Sequence, residues 1–271
     1  MSHFNRVLIT GAAGAVGKEL RKSGTRLGKT LRLTDRVASL DLQPNEVDQP
    51  FPLDDFTAAM AAMEGCDAVV HMGALSIEGT WDEVLHSNIM GTYNIYEAAR
   101  RNGVKRVVYA SSVHATGYYE RNQTIDASVP TRPDSLYGVS KTFGENLAKL
   151  YFDKFGIESV VLRIGTCIPE PVDRRHLITW ISYRDIRQVV ERCLSAPRTG
   201  FMICYPTSNN RESFWDDRAA SVLGFKPEDS ADDFRDKIFA KTAQGNPNDP
   251  AIRYQGGIFC ARGHFEDETK S

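Results

Sequence analysis

The apolar run Arg6–Thr10 (RVLIT) leads directly into Gly11, Gly14 and Gly17, in the frame GAAGAVG, and helix-forming residues follow. Few folds accommodate a strand, a glycine turn and a helix in that order. Gly11 supplies the tight turn out of the strand, Gly14 lets a pyrophosphate approach the backbone, and Gly17 lets the helix lie close against the sheet. The N–H groups at the helix start, around Ala15 and Val16, then face that pyrophosphate. The chain is expected to open with the first unit of a parallel α/β sheet.

A second run at residues 31–34 (LRLT) ends in Asp35, 18 residues after Gly17. A carboxylate there takes both hydroxyls of an adenosine ribose and repels a 2′-phosphate, which selects NAD over NADP. Arg36 beside it is expected to lie against the adenine.

Further apolar runs at 67–72 (DAVVHM), 105–110 (KRVVYA), 159–164 (SVVLRI) and 201–205 (FMICY) alternate with amphipathic stretches. Continuous apolar runs suit strands covered on both faces, and the alternation implies a parallel, doubly wound sheet of Rossmann type. Helices are expected at 15 to about 27, Phe56–Met63, 81–101, Leu136–Phe155 and 184–194. No repeat or low-complexity tract divides the chain, so residues 1–271 are read as one NAD-binding domain with a small C-terminal substrate-binding portion. The segment 165–183, with Pro169 and Pro171, should sit above the carboxyl edge of the sheet, where ligands bind. The stretch after Gly245 (GNPNDPAIRYQGG), rich in turn formers, is expected to wrap the surface.

Net charge is −2 and 25% of residues are charged, so neither nucleic acid nor an anionic membrane is attracted globally. A small-molecule partner is expected. The five cysteines are odd in number and scattered, without a C-x-x-C pair. That argues for a reducing compartment and against a disulfide framework or a metal site. No signal peptide, membrane span or lipidation motif is visible, which fits a cytoplasmic enzyme.

Tyr137 and Lys141 stand four apart on a predicted helix and share a face. Ser112 lies 25 residues before Tyr137, just past the strand 105–110. A serine at a strand's carboxyl end and a Tyr/Lys pair on the next helix can converge on one reacting atom. Here the chain resembles the extended, epimerase-like branch of the short-chain dehydrogenase/reductases. The matching pieces are TGAAGAVG (10–17), Asp35, HMGA (71–74), SNIMGTYNIYEAAR (87–100), YASS (109–112) and YGVSK (137–141). The resemblance implies Tyr137 as general base, Lys141 as its electrostatic partner and ribose ligand, and Ser112 as the group orienting the reacting oxygen. It places NAD against Gly11, Gly14, Ala15, Val16, Gly17, Asp35, Arg36, Leu53, Met72, Gly73, Ala74, Tyr137, Lys141 and Ile164. Asn88 occupies the family's site-holding asparagine position and is included among the cofactor-binding residues.

Within that branch the chain is most similar to the bacterial uronate dehydrogenases, on SSVHATGYY (111–119), RPDSLYGVSK (132–141), GENLAKLYFDKFG (144–156), RIGTCIPEP (163–171) and YQGGIF (254–259). This similarity implies NAD-dependent oxidation of D-glucuronate or D-galacturonate at C1 to the aldarolactone. Arg175 matches the carboxylate-binding arginine, with Arg174 and His176 as neighbours in register. Ser76, Ser112, His114, Tyr137 and Thr166 match sugar-binding positions. Val113 replaces the asparagine of an SSNH pattern, Thr166 a serine in RIGSC, and Pro52 an aspartate near the adenine. A sugar hydroxyl left unpaired at Val113 would cost about 1–3 kcal/mol. Related enzymes are homo-oligomers, and the helices 81–101 and Leu136–Phe155 are expected to pair between copies. Two other readings stay open: an epimerase or dehydratase with retained NAD, and an NAD-binding sensor without chemistry.

Overall fold

The computed structural model describes residues 4–39 and 41–264. Among them are strands β1 (Arg6–Thr10), β2 (Thr30–Thr34), β3 (Glu46–Asp48), β4 (Ala68–His71), β5 (Arg106–Ser112), β6 (Glu158–Ile164) and β7 (Phe201–Cys204). They form one parallel sheet in the order β3-β2-β1-β4-β5-β6-β7. Every residue of β4 and β5 is buried, as expected of strands covered on both sides.

Successive side chains feed two separate cores. Val7, Ile9, Val70, Val108 and Val160 pack against Leu20 of α1 (Ala15–Arg21) and Ile186, Val189 and Val190 of α7 (Tyr183–Ser195). On the other face, Leu8, Val69, Val107 and Val161 meet α2 (Phe56–Met63), α4 (Gly91–Arg101) and α5 (Leu136–Phe155) through Ala59, Met63, Ile95, Ala99, Leu147 and Tyr151. The strand order reverses between β1 and β4, whose ends Thr10 and His71 are register partners. That reversal opens a crevice at the carboxyl edge.

Three local expectations are corrected, and one strand was not anticipated. The helix expected from 15 to about 27 stops at Arg21, and a separate 3₁₀ turn, Gly24–Arg26, begins at Gly24 with φ +53°. The helix expected over 81–101 is helical throughout but not uniform. α3 (Trp81–Val84) passes into a wide π turn, Leu85–Met90, before α4. The edge strand β3 is a polar three-residue piece with no alternation to reveal it; Arg21 pairs with its Glu46 at 2.7 Å.

The C-terminal part carries α6 (His176–Thr179), α8 (Arg218–Val222), α9 (Arg235–Lys241) and α10 (Pro250–Arg253). The stretch after Gly245 does not simply wrap the surface. Gln255 is 1% exposed and Cys260 is buried, because this segment bridges to Glu120 and turns inward. Among the described residues no helix is long and apolar enough to cross a membrane.

Candidate active site

At the carboxyl end of β1, Gly11 has φ +69°, and a Cβ there would lie 2.7 Å from the Gly73 nitrogen. A Cβ on Gly17 would lie 2.1 Å from the Gly11 carbonyl oxygen. Both glycines are required by close backbone approach. Gly14 and Ala15 are exposed, and the first turn of α1 holds no acidic side chain, so its N–H groups face open space. The Asp35 carboxylate sits over the same turn, accepting from the Ala13 N–H at 3.1 Å and the Arg36 N–H at 2.7 Å. Among the described residues no cation pairs with it, and Arg36 is exposed. An anion-accepting turn beside a ribose-accepting carboxylate fits a dinucleotide with free 2′ and 3′ hydroxyls.

The loop after β4 forms the opposite wall. Thr10 Oγ1 accepts from the Gly73 N–H at 2.9 Å and bonds His71 Nδ1 at 2.7 Å, which fixes the Met72, Gly73 and Ala74 backbone near Gly11. Leu53 packs below it, and its carbonyl accepts from Asn94 at 2.9 Å. Asn88, turned inward by the π turn, donates to the Leu75 carbonyl at 3.0 Å and Ser140 Oγ at 2.9 Å, and accepts from the Leu75 N–H at 2.8 Å. Its amide donors are thus spent within the protein: it clamps the loop to α5.

Ser112 and Ile164 end β5 and β6 as register partners. Ser112 caps the turn Val113–Thr116 and hydrogen-bonds the Tyr137 phenol. Burial pushes that phenol up to about 12, and the Ser112 bond pulls the other way. Burial lowers the Lys141 ammonium to about 7, opposed by Glu145. Lys141 Nζ donates to the Ala110 carbonyl at 2.8 Å and stands 5.5 Å from the Tyr137 ring centre. The three residues therefore converge, but Lys141 alone does not bring the phenol down to neutral pH.

The residues expected to hold the sugar come next. His114 Nδ1 bonds Asp134 Oδ2 at 2.7 Å, and its ring lies against Phe259, tilted by 34° with centres 4.0 Å apart. Among the described residues its Nε2 has no partner. Arg175 donates Nε to the Gln255 carbonyl at 2.8 Å, while its Nη2 is buried without a partner and no acid pairs with it among those residues. Burial, followed by the neighbouring Arg121, lowers its guanidinium to about 10. By contrast Arg174 bonds Thr242 at 2.8 Å and lies over Phe239, and His176 pairs with Asp173. Thr166 Oγ1 bonds Thr179 Oγ1 at 2.9 Å, and Ser76 is exposed. Val113 does not leave a bare wall toward a sugar. It is 3% exposed and packs with Ile125, Tyr205, Phe214 and Trp215, so an apolar cluster absorbs the side chain there.

Several supporting residues carry no local motif. Glu78 accepts from the Leu136 and Tyr137 N–H groups, both at 3.0 Å. Glu145 takes Arg163 through both carboxylate oxygens, at 2.8 and 2.7 Å, and Ser111 at 2.5 Å. Two signals in the sequence could have found that pair, which the motifs missed: Glu145 lies four residues after Lys141 on one helix face, and Arg163 interrupts an apolar strand where a charge needs a partner.

The model of the NAD dependent epimerase/dehydratase family matches residues 7–189. The chain is 46% identical over 267 residues to a uronate dehydrogenase of Pseudomonas syringae pv. tomato, covering 98% of this chain and 96% of that one. It is similar to the crystal structure of a glucuronic acid dehydrogenase from Chromohalobacter salexigens, with TM-score 0.95, 44% identity and coverage of 97% and 99%. It is also similar to an Agrobacterium tumefaciens uronate dehydrogenase solved as a tyrosine-to-alanine mutant complexed with NAD, with TM-score 0.92, 43% identity and coverage of 96% and 98%.

Proposed function

The chain belongs to the NAD dependent epimerase/dehydratase family, and on that premise we propose that it oxidises a hexuronate, D-glucuronate or D-galacturonate, at C1 to the aldarolactone. The observation that carries the substrate class is Arg175. A buried guanidinium Nη2 with no partner, on an arginine that makes no ion pair among the described residues, is costly to hold in the protein alone. A substrate carboxylate accepting from its two Nη groups removes that cost. A sugar acid supplies the carboxylate and the ring hydroxyls in one molecule. His114 Nε2, with Nδ1 held by Asp134, accepts from one of those hydroxyls.

The residues around Gly11, Gly14 and Asp35 hold the cofactor. When bound, NAD+ would supply the hydride acceptor and a positive charge. Ser112 orients the C1 oxygen, and Tyr137 Oη takes its proton. Working near neutral pH from a phenol at about 12 asks for about 7 kcal/mol of preference for the phenolate. The Lys141 ammonium supplies part of it, and the charge of a bound cofactor would supply the rest.

The test is steady-state NADH formation with Arg175→Ala. The expected result is a KM for glucuronate raised about a hundredfold, with a much smaller change in kcat and in the KM for NAD+. An unchanged KM for glucuronate would remove Arg175 from the carboxylate site and with it the case for a sugar acid.

A further inference from the structure

The segment Tyr254, Gln255, Gly256, Gly257 has no part in the chemistry above, yet Gln255 and the two glycines are held by many close contacts. Gln255 donates its N–H to the Tyr119 carbonyl at 2.9 Å and its Nε2 to the carbonyls of Glu120 and Gln123, at 3.1 and 2.9 Å. Its Oε1 accepts from Trp215 Nε1 at 3.1 Å. The remaining polar group, the main-chain carbonyl, accepts from Arg175 Nε. A residue held at both ends of its side chain cannot shift that carbonyl freely.

The two glycines that follow are sized to the same site. Gly257 has φ +70°, and a Cβ on it would lie 2.8 Å from both Cδ and Nε of Arg175. A Cβ on Gly256 would lie 1.9 Å from Asp134 Oδ2, the oxygen that holds His114 Nδ1. One turn therefore touches the supports of both substrate-facing groups.

We propose that Gln255 and Gly257 are positioning residues for substrate recognition: the Gln255 carbonyl fixes the plane of the Arg175 guanidinium, and the bare Gly257 admits its stem. With Nε spent on that carbonyl, the two Nη groups become the edge offered to the substrate carboxylate. The proposal rests on the reading of Arg175 as the carboxylate ligand. It assigns uronate selectivity partly to a C-terminal turn distant in sequence from the catalytic triad.

The experiment is a double-mutant cycle on the full-length enzyme with glucuronate and NAD+. Gln255→Met and Gly257→Ala are each made with Arg175 present and with Arg175→Ala. Each is expected to raise the glucuronate KM about tenfold with Arg175 present, leave kcat and the NAD+ KM within about twofold, and add less than about twofold once Arg175 is gone. Gly103→Ala is the control for backbone strain alone: its φ is +71° and nothing lies within 4 Å of the added Cβ, so its kinetics should match the parent. Equal losses in both backgrounds, or a fall in kcat matching the rise in KM, would make the turn a general structural element and overturn the proposal. An Arg175→Ala enzyme with parental KM overturns it by a different route, since the carboxylate reading fails first. If Gln255→Met does not fold, Gly257→Ala decides alone.

Discussion

Lys141 shows at a single residue how the site opposes the stability of the fold. Its ammonium falls from an ordinary 10.5 to about 7 because burial disfavours the charge. Below about pH 7 the folded protein must carry that buried charge, at a cost of about 5 kcal/mol. Between about 7 and 10.5 the unfolded chain binds the proton more tightly than the folded one, so the cost fades as pH rises. Lys141→Met is therefore expected to abolish turnover, raise Tm by several degrees at pH 6 and raise it less at pH 9. A Tm that drops equally at both pH values would mean that the ammonium is a net stabiliser through Ala110. This lysine was legible in the sequence because its partner lies four residues away. Gln255 and Asp134 were not: their partners are carbonyls and side chains brought together only by the fold, and neither residue type is unusual in a loop.

At the scale of elements, α5 carries the reactive phenol, and everything that fixes it comes from elsewhere. Ser135 and Glu78 bind its first N–H groups, Asn88 on the π turn holds Ser140, and Arg163 on β6 grips Glu145. The helix itself was readable from its apolar periodicity and from Gly156, which ends it at φ +71°. The π turn was not, because an extra residue per turn leaves an uninterrupted helical pattern. The β6 ion pair lies one turn beyond Lys141, whose neighbours are Tyr137 and Glu145 on α5, His71 on β4 and Tyr109 on β5. Glu145→Gln alone strands a buried guanidinium and is expected to cost about 3–5 kcal/mol in urea unfolding. Glu145→Gln with Arg163→Met should recover most of that stability. In the double variant Lys141 loses the carboxylate that favours its charge, so its ammonium is lost at lower pH and the phenolate is less supported. The acid limb of kcat should then move to higher pH. A double variant with parental stability and an unmoved pH profile would confine the pair to packing.

For the whole molecule, the sheet order follows from strand runs that could be read one by one, and the crevice follows from the reversal between β1 and β4. The glycine turn and Asp35 therefore predicted a cofactor edge before any distance was known. The substrate side was less legible, since it is assembled from the segment after β6, the loop after β4 and a C-terminal turn more than 100 residues from Tyr137. Val113 illustrates the limit: the substitution reads as a lost polar contact in one dimension and as a member of an apolar cluster in three. What joins the two halves is the claim that a phenol between Ser112 and Lys141 removes the proton from C1–OH of a hexuronate while NAD+ is reduced. It is tested most directly by following NADH formation from D-glucuronate and from D-galacturonate with the parent enzyme and with Tyr137→Phe. Turnover by the parent, reduced at least about a thousandfold in kcat by Tyr137→Phe with NAD binding intact, is the predicted result. Binding of NAD with no turnover of either acid, or turnover that survives the loss of the phenol, would contradict it.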